Sequence, residues 1–486
     1  MKRDKISNKL HANNKEKAFS SISVKSFITV TCLLVAILIL CGFMTLVVPQ
    51  GHFDRDAEGM IIADSFVQGQ IKGIEAWKVL TAPIRVFASE DALTIIMISV
   101  FLLIMSGVFN LLEKTNGISV FIGKTVRKFA DKKNLVVCIA ALVFMVFGSF
   151  FGMFEELVAL LPLVIVFMLS MGFDTLTGLG VCMMAACFGF SAAITNPFSV
   201  GLVASLANTH VMDGIWLRLV FFVIVFASIC TFLLLHVRKI SKDPTRSLTY
   251  AIDREKLNTL DFTAKEETPE EKKIFKACSV FFAVQLLILV LVATIRSISG
   301  YAIPLLAVSF LAGGITLGLC VCEKKSDTLK YIYDGAVSML PAVVLIALAS
   351  SVKLVMSEGG ILDTIMNGVI NSLLGKNKFL CIVLIYFLIL FLQIFIGSSS
   401  AKIILIMPIM LPVCNALDIS STVLMLTYCM ADGFTDVILP TNPVLLIGLS
   451  MAKVPYGKWL KWTLPFQIII FAITILILLF AVAIGY

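Results

Sequence analysis

Five ionisable side chains interrupt otherwise apolar stretches of this 486-residue sequence. Four of them are acids, Glu155, Glu156, Asp432 and Asp436, and one is the base Lys402. Ionisable groups are costly at membrane depth and usually face a cavity or a substrate pathway. An acid-rich set of this kind suits a cationic or zwitterionic ligand, and carboxylates that cannot all ionise tend to hold a proton.

Polar, helix-breaking residues flank these side chains and recur at matching positions in both halves. Residues 194–197 read Ile-Thr-Asn-Pro and residues 440–443 read Pro-Thr-Asn-Pro, and a second polar break lies upstream of each, at 148–156 and 397–402. Irregular backbone is tolerated within a membrane only where it lines a cavity, so the repeated breaks indicate a transporter that binds its ligand there. The further candidate binding residues are Ser191, Thr195, Asn196, Ser398, Ser399, Ser400, Thr441 and Asn442.

The half-helices that meet at such breaks point unpaired backbone groups inward, where they can hold an ion. A coupling sodium ion is predicted near Asn196 and Asn442, with a proton as the alternative, and neither a cofactor nor a structural metal is expected. Structural alternatives stay open: the asparagines could merely cap helices, Lys402 could be a structural partner of Asp432, and the two glutamates could flank a solvated turn.

The composition of the chain indicates whether it lies in water or in a membrane. It is 59% hydrophobic and 14% charged, which is typical of an integral membrane protein. About 20 apolar residues cross a bilayer, and the sequence predicts full spans near 27–48, 92–112, 215–237, 277–297, 303–322, 335–356 and 463–485. The net charge of +8 comes from loops beside these spans and indicates topology, not nucleic acid binding. The twelve cysteines lie in or beside apolar segments and are interpreted as packing residues.

Charge in the loops predicts an all-α membrane protein built from two inverted repeats, each with a re-entrant hairpin and a broken transmembrane helix. The predicted parts are a cytoplasmic basic tail at 1–26, a first repeat at 27–237, a cytoplasmic linker loop at 238–276, a connecting helix at 277–298 and an inverted second repeat at 299–486. The N-terminus is then cytoplasmic and the C-terminus outside. Two short spans in place of each hairpin would fit the same charges.

Two further basic residues, Lys353 and Arg218, lie close to the ends of their predicted spans. Long basic side chains in such positions commonly extend to the membrane surface. They are therefore not placed among the candidate binding residues.

Four segments resemble the YfcC-type membrane proteins of the DcuC family, in the ion transporter superfamily. They are the hairpin at residues 152–156, the break at 189–197, the serine-rich tip at 398–402 and the break at 432–441. The resemblance covers nearly the whole chain. It implies a secondary carrier in the cell membrane, often a homodimer, that moves its substrate by an elevator-like displacement. Members are either basic amino acid antiporters of the arginine/ornithine type or C4-dicarboxylate carriers, and Lys402 is a departure from some relatives.

The excess of acids favours a carrier of basic amino acids. Its expected partners are a small-molecule substrate and the lipid bilayer. In this hypothesis Glu155, Glu156 and Asp432 bind the substrate's amino groups, while the serine tip and Asn442 bind its carboxylate. A C4-dicarboxylate carrier coupled to sodium or protons is the alternative, and an ion channel is a remote one. An intramembrane protease is disfavoured, because the four histidines lie outside the spans or at their edges.

Overall fold

The structure is a computed structural model that describes residues 24–55, 62, 65–121, 132–259, 269–295, 301–373 and 375–486. Most of the predicted basic tail therefore lies outside the described residues. The described chain is almost entirely helical, and its strands, β1 (Gly51–His52) and β2 (Val67–Gln68), form one antiparallel pair with Gly51 opposite Gln68.

The helices follow one another along the chain with short connections. The first half contains α1 Val24–Val47, α2 Ala76–Arg85, α3 Ala92–Lys114, α4 Lys133–Phe151, α5 Glu156–Ser170, α6 Thr175–Ser191, α7 Pro197–Leu206 and α8 Ile215–Lys242. The remainder contains α9 Tyr250–Thr259, α10 Pro269–Thr294, α11 Ala302–Val321, α12 Lys325–Ser338, α13 Leu340–Glu358, α14 Leu362–Leu373, α15 Lys378–Gln393, α16 Ser399–Ala416, α17 Ser421–Ala431, α18 Pro443–Ala452 and α19 Tyr456–Ile484.

Within the described residues, nine helical segments are long and apolar enough to cross a membrane, with α12 and α13 counted as one. Shorter apolar helices of 10–17 residues lie between them, namely α5, α6, α7, α15 and α18. The prediction of an all-α membrane protein is confirmed. The inverted arrangement of two repeats stays a prediction.

The helix breaks lie where the sequence places them, because proline and asparagine fix the start of each second half-helix. Pro197 and Pro443 occupy the first turns of α7 and α18, where a missing N–H costs nothing. The side chains of Asn196 and Asn442 cap the same turns.

Two segments predicted as loops contain helices. The connection 49–91 includes α2, and the predicted linker loop 238–276 includes the last turn of α8, all of α9 and the first turns of α10. Both α2 and α9 have only 10 residues and lack the long apolar run by which the spans were identified. The span predicted at 335–356 begins later, at Leu340, because Pro341 in the first turn of α13 separates it from α12.

The linker helix α9 is fixed to the membrane helices by a buried lysine. Nζ of Lys256 donates to Oγ1 of Thr175 at 3.0 Å and to the carbonyl of Ala452 at 2.7 Å, joining α9 to the start of α6 and the end of α18. Burial lowers the pKa of Lys256 to about 7, although the nearby Asp253 carboxylate opposes this shift.

The helices that carry the candidate residues pack against a second set. Helix α4, in the predicted first hairpin of α4 and α5, packs against α6, and α15, in the predicted second hairpin of α15 and α16, packs against α17. The second set includes α3, which packs against α11, α12 and α13, and α13 also contacts α1, α2 and α18. Helices of both sets contribute side chains to one cavity, described next.

Candidate functional site

The two helix breaks are in direct contact. Oγ of Ser191, at the end of α6, donates to the backbone carbonyl of Asp432, just after α17, at 2.5 Å, and both residues are buried. The next residue, Gly433, has a φ of +99°, and a Cβ there would lie 2.6 Å from the Ser191 hydroxyl oxygen. Close approach and left-handed backbone both require glycine at this position. Residues 241 positions apart in sequence thus form one junction.

The second hairpin reaches this junction through an ion pair. Nζ of Lys402, in the first turn of α16, lies 2.8 Å from Oδ1 of Asp432, and the side chains are 0% and 1% exposed. The other carboxylate oxygen, Oδ2, is buried and has no hydrogen-bond partner among the described residues. The structural alternative for Lys402 therefore matches the observed geometry, and Oδ2 of Asp432 stays buried without a hydrogen-bond partner in the described part of the chain.

Asp436 has a neutral partner in place of a base. Its Oδ1 accepts a hydrogen bond of 2.6 Å from Nε2 of Gln393, the last residue of α15. Gln393 was not among the predicted residues. The signal that could have identified it is an amide side chain at the end of a long apolar run, immediately before the second hairpin tip.

The two asparagines are occupied as helix caps. Oδ1 of Asn196 accepts from the backbone N–H of Phe198 at 2.9 Å, and Oδ1 of Asn442 accepts from Val444 and Leu445 at 2.8 and 3.3 Å. Buried Nδ2 of Asn196 has no partner among the described residues. The predicted sodium position near the asparagines stays a prediction, and the described residues contain no group of three or more His, Cys, Asp or Glu side chains that could hold a metal ion.

The first hairpin is bound to the first break mainly through backbone carbonyls. Oγ of Ser149 donates to the carbonyl of Ala192 at 2.6 Å, and Oγ1 of Thr195 donates to that of Phe150 at 3.1 Å. Arg218, in the first turn of α8, also contacts this break, since its Nη1 donates to the carbonyl of Ile194 at 2.8 Å. Arg218 is 1% exposed, so the expectation that it extends to the membrane surface is wrong. Its Nη2 donates to the carbonyls of Val211 and Asp213, which lie just before α8.

The hairpin tips and the second break open onto a cavity of about 390 Å³. This volume is in the range that small-molecule sites occupy. Nine predicted residues line it: Glu155, Glu156, Ser398, Ser399, Ser400, Asp432, Asp436, Thr441 and Asn442. The other four candidates do not line the cavity and instead hold the breaks in position; they are Ser191, Thr195, Asn196 and Lys402.

The start of α16 faces the cavity with its serines. Oγ of Ser398 caps the helix by accepting from the N–H of Ala401 at 3.4 Å, and the hydroxyl of Tyr428 donates to the carbonyl of Ser399 at 2.7 Å. A helix N-terminus carries partial positive charge and favours an anionic group. The tip can therefore receive a carboxylate, while acids elsewhere in the cavity can receive a cation.

Sequence reasoning missed a second charged pair in the cavity. Nζ of Lys353, on α13, lies 2.6 Å from Oδ2 of Asp91, which precedes α3, and both residues line the cavity. The expectation for Lys353 did not include this partner, and its position relative to the membrane surface stays a prediction. The position of Lys353 near the end of its span gave no indication that Asp91, just before α3, lies beside it.

The formal charge of the lining is strongly acidic. Among the described lining residues, five are acids and Lys353 is the one base. Asp432 is neutralised by Lys402 and Asp91 by Lys353. Three carboxyl groups remain without an ion pair within 4.0 Å in the described part of the chain, those of Glu155, Glu156 and Asp436.

A family model matches this chain over residues 27–483. Its description is DcuC, C4-dicarboxylate anaerobic carrier. The match covers every helix described above except the first three residues of α1 and the last residue of α19.

Two proteins are similar to the chain at 24% and 25% sequence identity. The Escherichia coli K12 protein named "Putative basic amino acid antiporter YfcC" is 25% identical over 407 residues, which are 81% of this chain and 79% of that protein. An uncharacterized protein of Haemophilus influenzae is 24% identical over 419 residues, 84% of this chain and 80% of that protein.

Among solved structures, the chain is similar to the YdaH transporter of Alcanivorax borkumensis. The TM-score is 0.42 at 17% identity, and the overlap covers 94% of this chain and 99% of that chain.

Proposed function

This chain belongs to the DcuC family of membrane carriers, and we propose that within the family it is a secondary active transporter of basic amino acids. The observation that carries the proposal is the charge of the cavity. Glu155, Glu156 and Asp436 face it without basic partners, so a cationic substrate would supply the missing countercharge. The name of the Escherichia coli relative, "Putative basic amino acid antiporter YfcC", agrees with this assignment.

In this proposal the substrate's cationic side chain lies among these three carboxyl groups. The serine tip of α16 and the start of α18 at Thr441 and Asn442 lie along the same cavity and offer hydroxyl and amide groups. Asp432 borders the same cavity, but its side chain is buried in the ion pair with Lys402. Ser191, Thr195 and Asn196 hold the breaks in position without contacting the substrate.

The alternative is a C4-dicarboxylate carrier, as the description of the family model suggests. The start of α16 and the Lys353 side chain are the features that favour it, since both attract carboxylates. A dicarboxylate would nevertheless have to enter a cavity in which acids outnumber bases. Proton uptake by several of them would be needed before binding.

A competition screen on protein reconstituted in liposomes tests the assignment. Arginine, lysine and ornithine are offered together with succinate and fumarate, first without an ion gradient and then with a sodium or a proton gradient. The proposal requires that the basic amino acids compete and the dicarboxylates do not. Stimulation by one gradient identifies sodium or protons as the coupling ion, and exchange without any gradient indicates antiport.

We propose further that transport is elevator-like and that the two halves form inverted repeats. Each of the two breaks has a capping asparagine followed by proline, and this similarity supports the repeat. The inversion predicts a cytoplasmic N-terminus and an outside C-terminus. Membrane-impermeant labelling of cysteines introduced at each terminus tests this orientation, and native mass spectrometry tests the proposed homodimer.

A further inference from the structure

The charged pair of Asp91 and Lys353 lies on a part of the cavity wall that contains neither hairpin nor break. The wall is formed by one face of α3 and one face of α13. Residues 91, 94, 95, 97 and 98 line it from the start of α3, and residues 346, 349, 350 and 353 line it from α13. Both sets follow the spacing of one helical face, so each helix presents a continuous strip to the cavity.

The pair has the exposure expected of groups that exchange partners. The Lys353 side chain is 29% exposed and that of Asp91 is 45% exposed, whereas Lys402 and Asp432 are closed off at 0% and 1%. A partly exposed ion pair contributes little to stability and opens without leaving a buried charge behind. The buried pair therefore suits a structural role, and the exposed pair suits ligand binding.

The chemistry of the pair matches one end of an amino acid. The ammonium group of Lys353 and the carboxylate of Asp91 are complementary to the α-carboxylate and the α-ammonium group of an amino acid. Binding would replace the one ion pair between the two side chains by two ion pairs with the ligand. Since Lys353 is the one base among the described lining residues, it is the partner that the chain offers to a carboxylate in the cavity. Asp91, at 2.6 Å from it, is placed to receive the α-ammonium group of the same ligand.

We propose that Asp91 and Lys353 form the receptor for the α-amino acid head group, while Glu155, Glu156 and Asp436 receive the cationic side chain. This inference rests on the proposed function and deepens it. It moves the binding of the substrate carboxylate from the serine tip and Asn442 to Lys353. It also explains how one cavity with mostly acidic walls accepts a ligand that carries a carboxylate.

The test compares ligands that each lack one half of the head group. Agmatine is arginine without its carboxylate, and 5-guanidinopentanoate is arginine without its α-amino group. Competition of each with labelled arginine is measured for the wild type, Lys353→Met and Asp91→Asn. In the wild type, arginine should bind about tenfold or more better than either analogue, since each has lost a charged contact.

The two variants should lose discrimination selectively. Lys353→Met should bring arginine and agmatine to within about threefold of each other and keep the preference over 5-guanidinopentanoate, and Asp91→Asn should do the reverse. A purely structural pair would instead weaken all three ligands in the same proportion, and that result would overturn the proposal. If one variant is not recovered as folded protein, the other one decides.

A matched control lies on the same helix. Glu358, at the end of α13, pairs with Arg85 at the end of α2, and both side chains are about as exposed as Lys353, at 29% and 30%. Neither residue lines the cavity. Glu358→Gln should therefore keep the wild-type preferences. If the wild type ignores arginine altogether, the proposed function fails; if it carries arginine but Lys353→Met still rejects agmatine as the wild type does, only the head-group receptor fails.

Discussion

The hydroxyl of Ser191 donates a hydrogen bond of 2.5 Å to the backbone carbonyl of Asp432, and this contact joins the broken helix of the first half to that of the second. The carbonyl belongs to the residue that directly follows α17, so it lacks a partner within that helix. The side chain of the same aspartate pairs with Lys402. One residue therefore connects both breaks and the second hairpin.

Ser191→Ala should lower the thermal unfolding midpoint in detergent, because it leaves the buried carbonyl of Asp432 without its donor. We expect a cost of about 1–2 kcal/mol. The control is Ser450→Ala, a buried serine whose hydroxyl donates to the carbonyl of Leu446 one turn earlier in its own helix. An equal fall in both midpoints would show that the junction between the breaks has no special importance.

Gly433→Ala should destabilise the protein and reduce transport. The substitution forces an L-residue into a backbone with φ of +99° and places Cβ against the Ser191 oxygen. Strain of this kind costs about 1–3 kcal/mol. Gly457→Ala is the control, because a Cβ there has nothing within 4 Å. The explanation is wrong if both variants unfold at the temperature of the wild type.

Lys402→Met and Asp432→Asn should each be strongly destabilising, by about 3–5 kcal/mol, since either change leaves the partner's charge buried and unpaired. The double variant should lose less than the sum of the single losses, because it buries neither charge. Unfolding midpoints of all four proteins complete the cycle. Additive losses would mean that the two groups do not interact.

Lys256 should make stability depend on pH. Its pKa is about 7 in the folded chain against 10.5 as the ordinary value, so the unfolded chain binds more protons between these values. The cost of burying the ammonium group is fully present below pH 7 and disappears as the pH rises toward 10.5. Relative to Lys256→Met, the wild type should therefore gain in unfolding midpoint from pH 7 to pH 10; a constant difference would contradict the shifted pKa.

Local signals in the sequence predicted the helix breaks well. Asn-Pro pairs set the start of α7 and α18 because a cap and a fixed φ act within a few residues. Nine of the thirteen candidate residues line the cavity for the same reason, since the breaks carry them there. The short helices α2 and α9 were missed because neither has an apolar run long enough to indicate a span.

What the sequence did not predict are partners that come from distant helices. Lys353 and Arg218 were expected to extend to the membrane surface, yet Asp91 lies beside the first and the carbonyl of Ile194 beside the second. Gln393 was overlooked beside Asp436. Helix packing decides each of these contacts, and no spacing within one segment indicates them.

Counterflow tests most directly whether the protein carries basic amino acids through its acidic cavity. Liposomes containing the protein are loaded with unlabelled ornithine and given labelled arginine outside, with Glu155→Gln and Glu156→Gln as companions. The wild type should accumulate arginine transiently, and each variant should require about tenfold more arginine for the same rate, since a charged contact is lost. Accumulation of labelled succinate in succinate-loaded liposomes, with arginine ignored, would contradict the claim.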